Sequence, residues 1–215
     1  MKIFKLKRNP NEYTCNAYLV LGSWNRIADK NTLIDVGYDA YIIDEIEKIN
    51  TGVGKKPIDQ VIITHNHYDH TAGLPEIIKK YKPVVYGNLK SEYVDVVLKD
   101  GDTIMLGDNE FEVIEVPTHS DDSILLYCRK EGILFSGDTT LTVRTSEGNY
   151  DQKFIDTLEY LSKTNIKTIY HGHDDPIIHE ARNVILKSLN RINNKELKIN
   201  EFFINELKLE VCDVR

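Results

Sequence analysis

The chain has 215 residues, 41% of them hydrophobic and 28% charged, with a formal net charge of -7 at pH 7. That length suits one domain over residues 1–215, and the acidic balance with no basic stripe argues against a nucleic-acid partner. No apolar run reaches the ~18 residues of a membrane span, and the three scattered cysteines Cys15, Cys128 and Cys212 form no disulfide framework.

The opening MKIFKLKRNP has no apolar stretch and no small-residue cleavage site, so no leader peptide and a reducing cytoplasm are expected. Alternation and β-branched content predict strands at Ile3–Lys7, Ala17–Leu21 and Thr32–Asp35. Tyr41 to Ile49 reads as a helix, because Ile42, Ile43, Ile46 and Ile49 share a face before Gly52 and Gly54. Gln60 to Thr64 is a short continuous apolar run, as in strands buried on both faces. A helix is expected over Leu74–Lys80 and a strand over Pro83–Tyr86. Residues 93–116 read as a strand meander, and Ser123–Cys128 with Ile133–Ser136 as a hairpin. Asp156–Leu161 lies in a helix, Ile166–Tyr170 is a strand, and Pro176 is expected to start a long helix reaching about Arg191. The tail at 193–215 is polar with a few apolar residues. This order fits two sheets covered by helices on the outside, a four-layer αββα sandwich of the α/β class, and not a doubly wound parallel sheet.

Four potential ligands, His65, His67, Asp69 and His70, fall within six residues where the run at 60–64 ends. In extended backbone, residues 65, 67 and 69 point one way and His70 points elsewhere. Such a cluster suits two adjacent metals, one taking the two alternating histidines and the other Asp69 and His70. Imidazole with carboxylate suits zinc, manganese or iron. Three further segments end predicted strands on a His or Asp: Pro117-Thr118-His119, Ser136-Gly137-Asp138 and His171-Gly172-His173. Each is weak alone. Together with the first cluster they describe one convergent site.

With these motifs the sequence resembles the metallo-β-lactamase superfamily over roughly residues 2 to 192. His-Asn-His-Tyr-Asp-His looks like its HxHxDH signature, and Leu33-Ile34-Asp35-Val36-Gly37 like its early strand-and-turn motif. Val116–Ile124 is similar to the segment carrying the third histidine, Phe135–Thr139 to that carrying a bridging aspartate, and Tyr170–Pro176 to the Pro-Gly-His segment, with His171 in the proline position. The resemblance implies one divalent metal held by His65, His67 and His119. A second would be held by Asp69, His70 and His173, with Asp138 bridging. Zinc is the first expectation, with iron or manganese as alternatives. His179 is left as a surface or structural residue on the last helix.

Asp69 and Asp138 are the catalytic candidates. A metal lowers the pKa of bound water to about 7, which provides hydroxide at neutral pH. Two divalent ions against two aspartates and a hydroxide leave a site near about +1, able to draw a carbonyl or phosphoryl oxygen. Asp35 and Asp174 are candidates for orienting histidines. The loop from Thr140 to Tyr150 is expected to overhang the site, with Arg144 as a carboxylate grip, Tyr68 or Tyr150 as oxyanion donors, and His171 facing substrate.

The aspartate bridge is similar to the thioesterase, lactonase and phosphodiesterase branches. True β-lactamases use a cysteine there, and Cys128 is too early to fill the place. The leading expectation is hydrolysis of a small thioester or ester, resembling single-domain glyoxalase II-like proteins. A homoserine-lactone lactonase is the alternative suggested by Gly172-His173-Asp174, although Leu141 stands where that branch carries tyrosine. A phosphodiesterase acting on RNA would need a basic surface that is not seen. Of other classes, an iron-dependent persulfide dioxygenase and a non-catalytic metal-binding scaffold stay open. A small molecule is the expected partner, with no membrane, and a homodimer is left open.

Overall fold

The computed structural model describes residues 1–144 and 149–193. In chain order it contains β1 (Lys2–Lys5), β2 (Tyr18–Leu21), β3 (Thr32–Ile34), α1 (Ile42–Glu47), β4 (Gln60–Ile62), α2 (Tyr68–Thr71), α3 (Leu74–Tyr81) and β5 (Val84–Gly87). There follow β6 (Val96–Val97), β7 (Thr103–Leu106), β8 (Asn109–Glu115), β9 (Ile124–Cys128), β10 (Ile133–Gly137), α4 (Gln152–Ser162) and β11 (Thr168–His171). A last helix, α5, covers residues 181–193. The predicted tail falls almost wholly outside the described residues, as does the middle of the loop after Asp138.

Strands β1 to β6 form one sheet in sequence order, and β11-β10-β9-β8-β7 form the other. Within the first, β1, β2 and β3 are antiparallel, and β3 through β6 run parallel. Within the second only the β10–β11 pair is parallel.

Side-chain alternation explains why so many strands are continuously apolar. Strand β9 sends Ile124, Leu126 and Cys128 into the core between the sheets, and Leu125 and Tyr127 into the core under α4 and α5. Likewise β2 sends Tyr18 and Val20 between the sheets and Leu19 and Leu21 toward α1 and α3. With apolar partners on both faces, a period of two disappears from the sequence. The helices keep their period: α3 buries Leu74, Ile77 and Tyr81 on one face. Four layers result, α1/α3, sheet, sheet, α4/α5, as the composition of the strands predicts.

Two expectations are corrected. The stretch 93–116 is not one meander, because β6 pairs with β5 in the first sheet and only β7 and β8 form a hairpin in the second. The last helix does not start at Pro176. Ile177 instead exchanges two backbone hydrogen bonds with Ile169, at 3.0 and 2.9 Å, which extends the sheet. The chain then turns through Glu180 at φ +54° and becomes helical only at 181. A proline fixes φ at a value that extended backbone also accepts, so Pro176 followed by β-branched Ile177 suits a sheet edge. Among the described residues no helix is long and apolar enough to cross a membrane.

Candidate metal centre

The turn after β3 builds the floor of the site. Asp35 takes φ +53°, a left-handed conformation that Asp tolerates better than bulkier residues. Its carboxylate then accepts hydrogen bonds from Thr64 N (2.8 Å), Thr64 Oγ1 (2.9 Å) and His70 Nδ1 (2.9 Å). One buried carboxylate thereby ties the end of β4 to α2, and turns His70 so that Nε2 points at Asp138, 3.3 Å from Oδ1. The backbone stays extended as far as His67 (φ -70°, ψ 149°) and coils into α2 at Tyr68. Asp69 is therefore on a helical turn beside His70 and not on the extended face with His65 and His67. This corrects the simple alternation expected for 65, 67 and 69, and it explains why the four candidate ligands divide two and two.

The remaining groups come from the second sheet. His119 follows β8, Asp138 follows β10 and His173 follows β11, and the Ile124 N–H bonds to Thr64 O at 2.9 Å where the two sheets meet. The seven side chains form two sets whose ligand atoms lie within 4.8 Å of one another: His65, His67 and His119 in one, Asp69, His70, Asp138 and His173 in the other. Asp138 joins them. Its Oδ2 lies 3.2 Å from His173 Nε2, 3.6 Å from His119 Nε2 and 3.9 Å from His65 Nε2. His173 Nε2 is 3.0 Å from Asp69 Oδ2, and His119 Nε2 is 3.0 Å from His67 Nδ1.

This arrangement suits cations better than it suits itself. His65 Nε2, His70 Nε2 and Asp138 Oδ1 are buried without a hydrogen-bond partner, a costly condition unless an ion completes them. Burial, reinforced by the neighbouring His70, pushes His65 down to about 4, which leaves it a neutral donor. For His70, burial opposes the charged form, but Asp35 and Asp138 on either side outweigh it and raise the pKa. Burial alone would also raise Asp138, and His173 and His70 reverse this and hold it well below the carboxylate range. The carboxylates that favour a proton at His70 Nε2 equally favour a divalent cation there. Imidazoles with two carboxylates fit zinc, iron or manganese.

Two glycines make room. Gly137 has φ +50°, and a Cβ there would meet Thr64 Oγ1 at 2.6 Å. A Cβ at Gly172 would overlap Asp138 Oδ1 and come within 3.0 Å of His70 Cε1. Both stand beside a candidate ligand, and the close approach of backbone is what keeps β10 and β11 tight around Asp138.

The supporting expectations fare unevenly. Asp35 orients His70. Asp174 is exposed and contributes its carbonyl, which accepts a bond from Asn16 Nδ2 at 2.8 Å, while its carboxylate orients no histidine. His171 lies 2.9 Å through Nδ1 from Ser136 Oγ, is lowered in pKa by burial, and lines a cavity with Asp138 and His173. Arg144 and Tyr150 line a second cavity of about 560 Å³ that reaches His119 and Asp138. Tyr68 is exposed, packs edge-on against Tyr38, and lines neither cavity. His179 is exposed and precedes α5. Unforeseen were Tyr13, whose ring stacks on His173 at 4.9 Å, and buried Cys15, which joins Asp35 and His70 in a tight group. Asn16 Nδ2 and Tyr18 Oη both donate to His171 O, fixing the turn that carries His173.

The model of the Metallo-beta-lactamase superfamily matches residues 10–95 and 90–173. A hydroxyacylglutathione hydrolase of Chromohalobacter salexigens is 29% identical over 153 residues, which are 68% of this chain and 58% of that one. The chain spans about half the length of the curated relatives it matches. Among solved structures, ETHE1 from Myxococcus xanthus aligns with a TM-score of 0.68 at 20% identity, covering 94% of this chain and 90% of that one. TTHA1623 in a di-iron-bound form aligns at 0.61 and 19%, covering 86% and 98%. At such identities these two likenesses speak for the fold.

Proposed function

Because the chain belongs to the metallo-beta-lactamase superfamily and brings two ligand sets together around one aspartate, we propose that it is a metal-dependent hydrolase acting on a small thioester or ester. The carrying observation is Asp138, within 4 Å of donor atoms from both sets. Divalent ions in the two sets would supply a water acidified to a pKa of about 7 and a Lewis acid for the carbonyl oxygen.

The protein's own part is positional. Asp35 fixes the tautomer of His70, and Asn16 and Tyr18 fix the turn of His173, so both imidazoles present Nε2 toward Asp138 and Asp69. Asp69 approaches His173 through Oδ2, and its other oxygen would be suited to accept a hydrogen bond from the water the metals supply, helping to aim it. Asp138 would offset the positive charge of ions held by the two sets. Arg144, Tyr150 and His171 line the space where a substrate would lie, with Arg144 suited to a carboxylate and Tyr150 to a developing oxyanion. Similarity to hydroxyacylglutathione hydrolases favours the thioester over a lactone or a phosphodiester.

The test is metal analysis of the purified chain, then a panel of a thioester, a lactone and a bis-phosphoester with an oxygen electrode alongside. A bound metal pair, zinc in the first instance, with thioester turnover is expected. A single iron with persulfide-dependent oxygen uptake would replace this reading with an oxygenase. His67→Ala and Asp138→Ala should each abolish turnover while the folded far-ultraviolet spectrum persists.

A further inference from the structure

The surface across the ligand cluster is a continuous path with chemically different ends. One end is a cavity of about 840 Å³ between the β1–β2 connection and His173, with Lys5, Lys7, Arg8, Tyr13 and Tyr41 on its walls and Glu12 its one carboxylate. The other is the cavity of about 560 Å³ at His119 and Asp138, whose wall includes Pro117, Val143 and Phe154. A third space of about 410 Å³ joins them, sharing Tyr13 and His173 with the first and His119, Asp138 and Arg144 with the second.

The cations of the first cavity are not equally engaged. Lys5 is held by Asp175 at 2.7 Å. Among the described residues no carboxylate lies within ion-pair distance of Lys7 or Arg8. Glu45, whose charge reaches Lys7, is itself bonded to Lys48 at 2.6 Å. Arg8 Nη1 donates to Thr14 O and His173 O, at 3.3 and 3.5 Å, which sets the guanidinium against the turn of a proposed ligand. Tyr13 is 75% exposed yet stacked on His173, a flat wall between the cationic cavity and the cluster. Asp175, whose charge reaches Arg8, is likewise bonded to Lys5. In a chain of net charge -7, two cations outside any ion pair among the described residues, on the path into the centre, favour an anion there.

We infer that the substrate carries an anionic arm, a carboxylate or a phosphate, received by Lys7 and Arg8 while its reacting carbonyl lies over His173, Asp138 and His119. The inference rests on the hydrolase reading of the same site and adds the substrate's charge and its direction along the groove. The two anions share the chemistry of an oxyanion on a guanidinium and an ammonium, so the probes must tell them apart.

Titration calorimetry of the metal-loaded protein with three non-hydrolysable thioethers, ending in a carboxylate, a phosphate or a neutral amide, reads this directly. One anionic thioether should bind about tenfold tighter than the amide, and Lys7→Glu should remove that advantage. Charge reversal at exposed Lys163, at the end of α4, should leave it in place. Whichever anion binds tighter identifies the arm. Equal binding of amide and anions, or an advantage that survives Lys7→Glu, overturns the inference. Thioester turnover by the unaltered protein is measured in parallel, and its absence counts against the hydrolase reading while the binding result still decides the anion subsite.

Discussion

Asp35 holds His70 by a 2.9 Å bond from Nδ1, and that bond leaves Nε2 of the same ring 3.3 Å from Asp138. Both oxygens of Asp35 are acceptors, since Oδ1 takes the Thr64 N–H and Oδ2 takes both the Thr64 hydroxyl and the imidazole. Asp35→Asn keeps the size but turns one acceptor into a donor, so a donor must face either Thr64 N–H or His70 Nδ1–H. Loss of such a supporting partner typically costs about 10–100-fold in metal affinity. Competition with a chelator at fixed free metal measures it. Unchanged affinity would mean that Asp35 does not orient His70.

Gly172→Ala should damage the centre without touching a ligand. The added methyl would overlap Asp138 Oδ1, and Asp138 cannot retreat far because His173, His119 and His65 surround Oδ2. The expected result is folded protein with turnover reduced by about tenfold or more, an order of magnitude typical of small displacements in a reacting centre. Gly54→Ala serves as the contrast: no atom lies within 4 Å of a Cβ there, and only the cost of φ +74°, about 1 kcal/mol, should appear, as stability and not as turnover. Equal turnover in the two variants would remove Gly172 from the argument.

The candidate ligands were legible because each His or Asp lies at the end of an apolar run or in the short cluster that follows β4, and because strand β4 is short, continuous and buried. The layer order was legible for the same reason, since mixed strands and amphipathic helices need helices outside two sheets. What the sequence hid were relationships made only by folding. Tyr13 on His173 and Cys15 beside His70 join residues far apart in the chain and follow no period. Pro176 misled because its fixed φ suits a helix start and a sheet edge alike. Val96–Val97 misled because a two-residue strand carries no pattern of its own.

The two ligand sets should be separable. His119→Ala removes one of three imidazoles from the first set, and His173→Ala removes a ligand from the second, each leaving the other set's side chains in place. Spectroscopic titration with cobalt should then change from two binding steps to one in either variant, with different residual spectra. His119→Ala leaves the set containing both carboxylates, and His173→Ala leaves an all-imidazole set supported only by Asp138. The His173 variant should therefore bind its remaining ion more weakly, since less negative charge offsets the cation. Identical titrations for the two variants would argue for one shared ion.

Stability should depend on the ions as well as on the core, and the two contributions can be told apart. Phe135 is buried between the sheets, 5.0 Å from Tyr170, 5.5 Å from Tyr18 and 5.9 Å from Phe111 by ring centroids. Phe135→Ala leaves a cavity that these rings cannot close, at a cost of about 3–5 kcal/mol in urea unfolding. Chelation acts by mass action instead: at free metal a thousandfold above its Kd, each bound ion stabilises by about 4 kcal/mol, which a chelator withdraws and added metal restores. The core loss should persist in the metal-free protein, whereas the chelator effect should shrink in His119→Ala, with one set disabled. A chelator effect undiminished in that variant would place the stabilising ion outside the set of His65, His67 and His119, and the same measurement on His173→Ala would then decide whether the second set holds it.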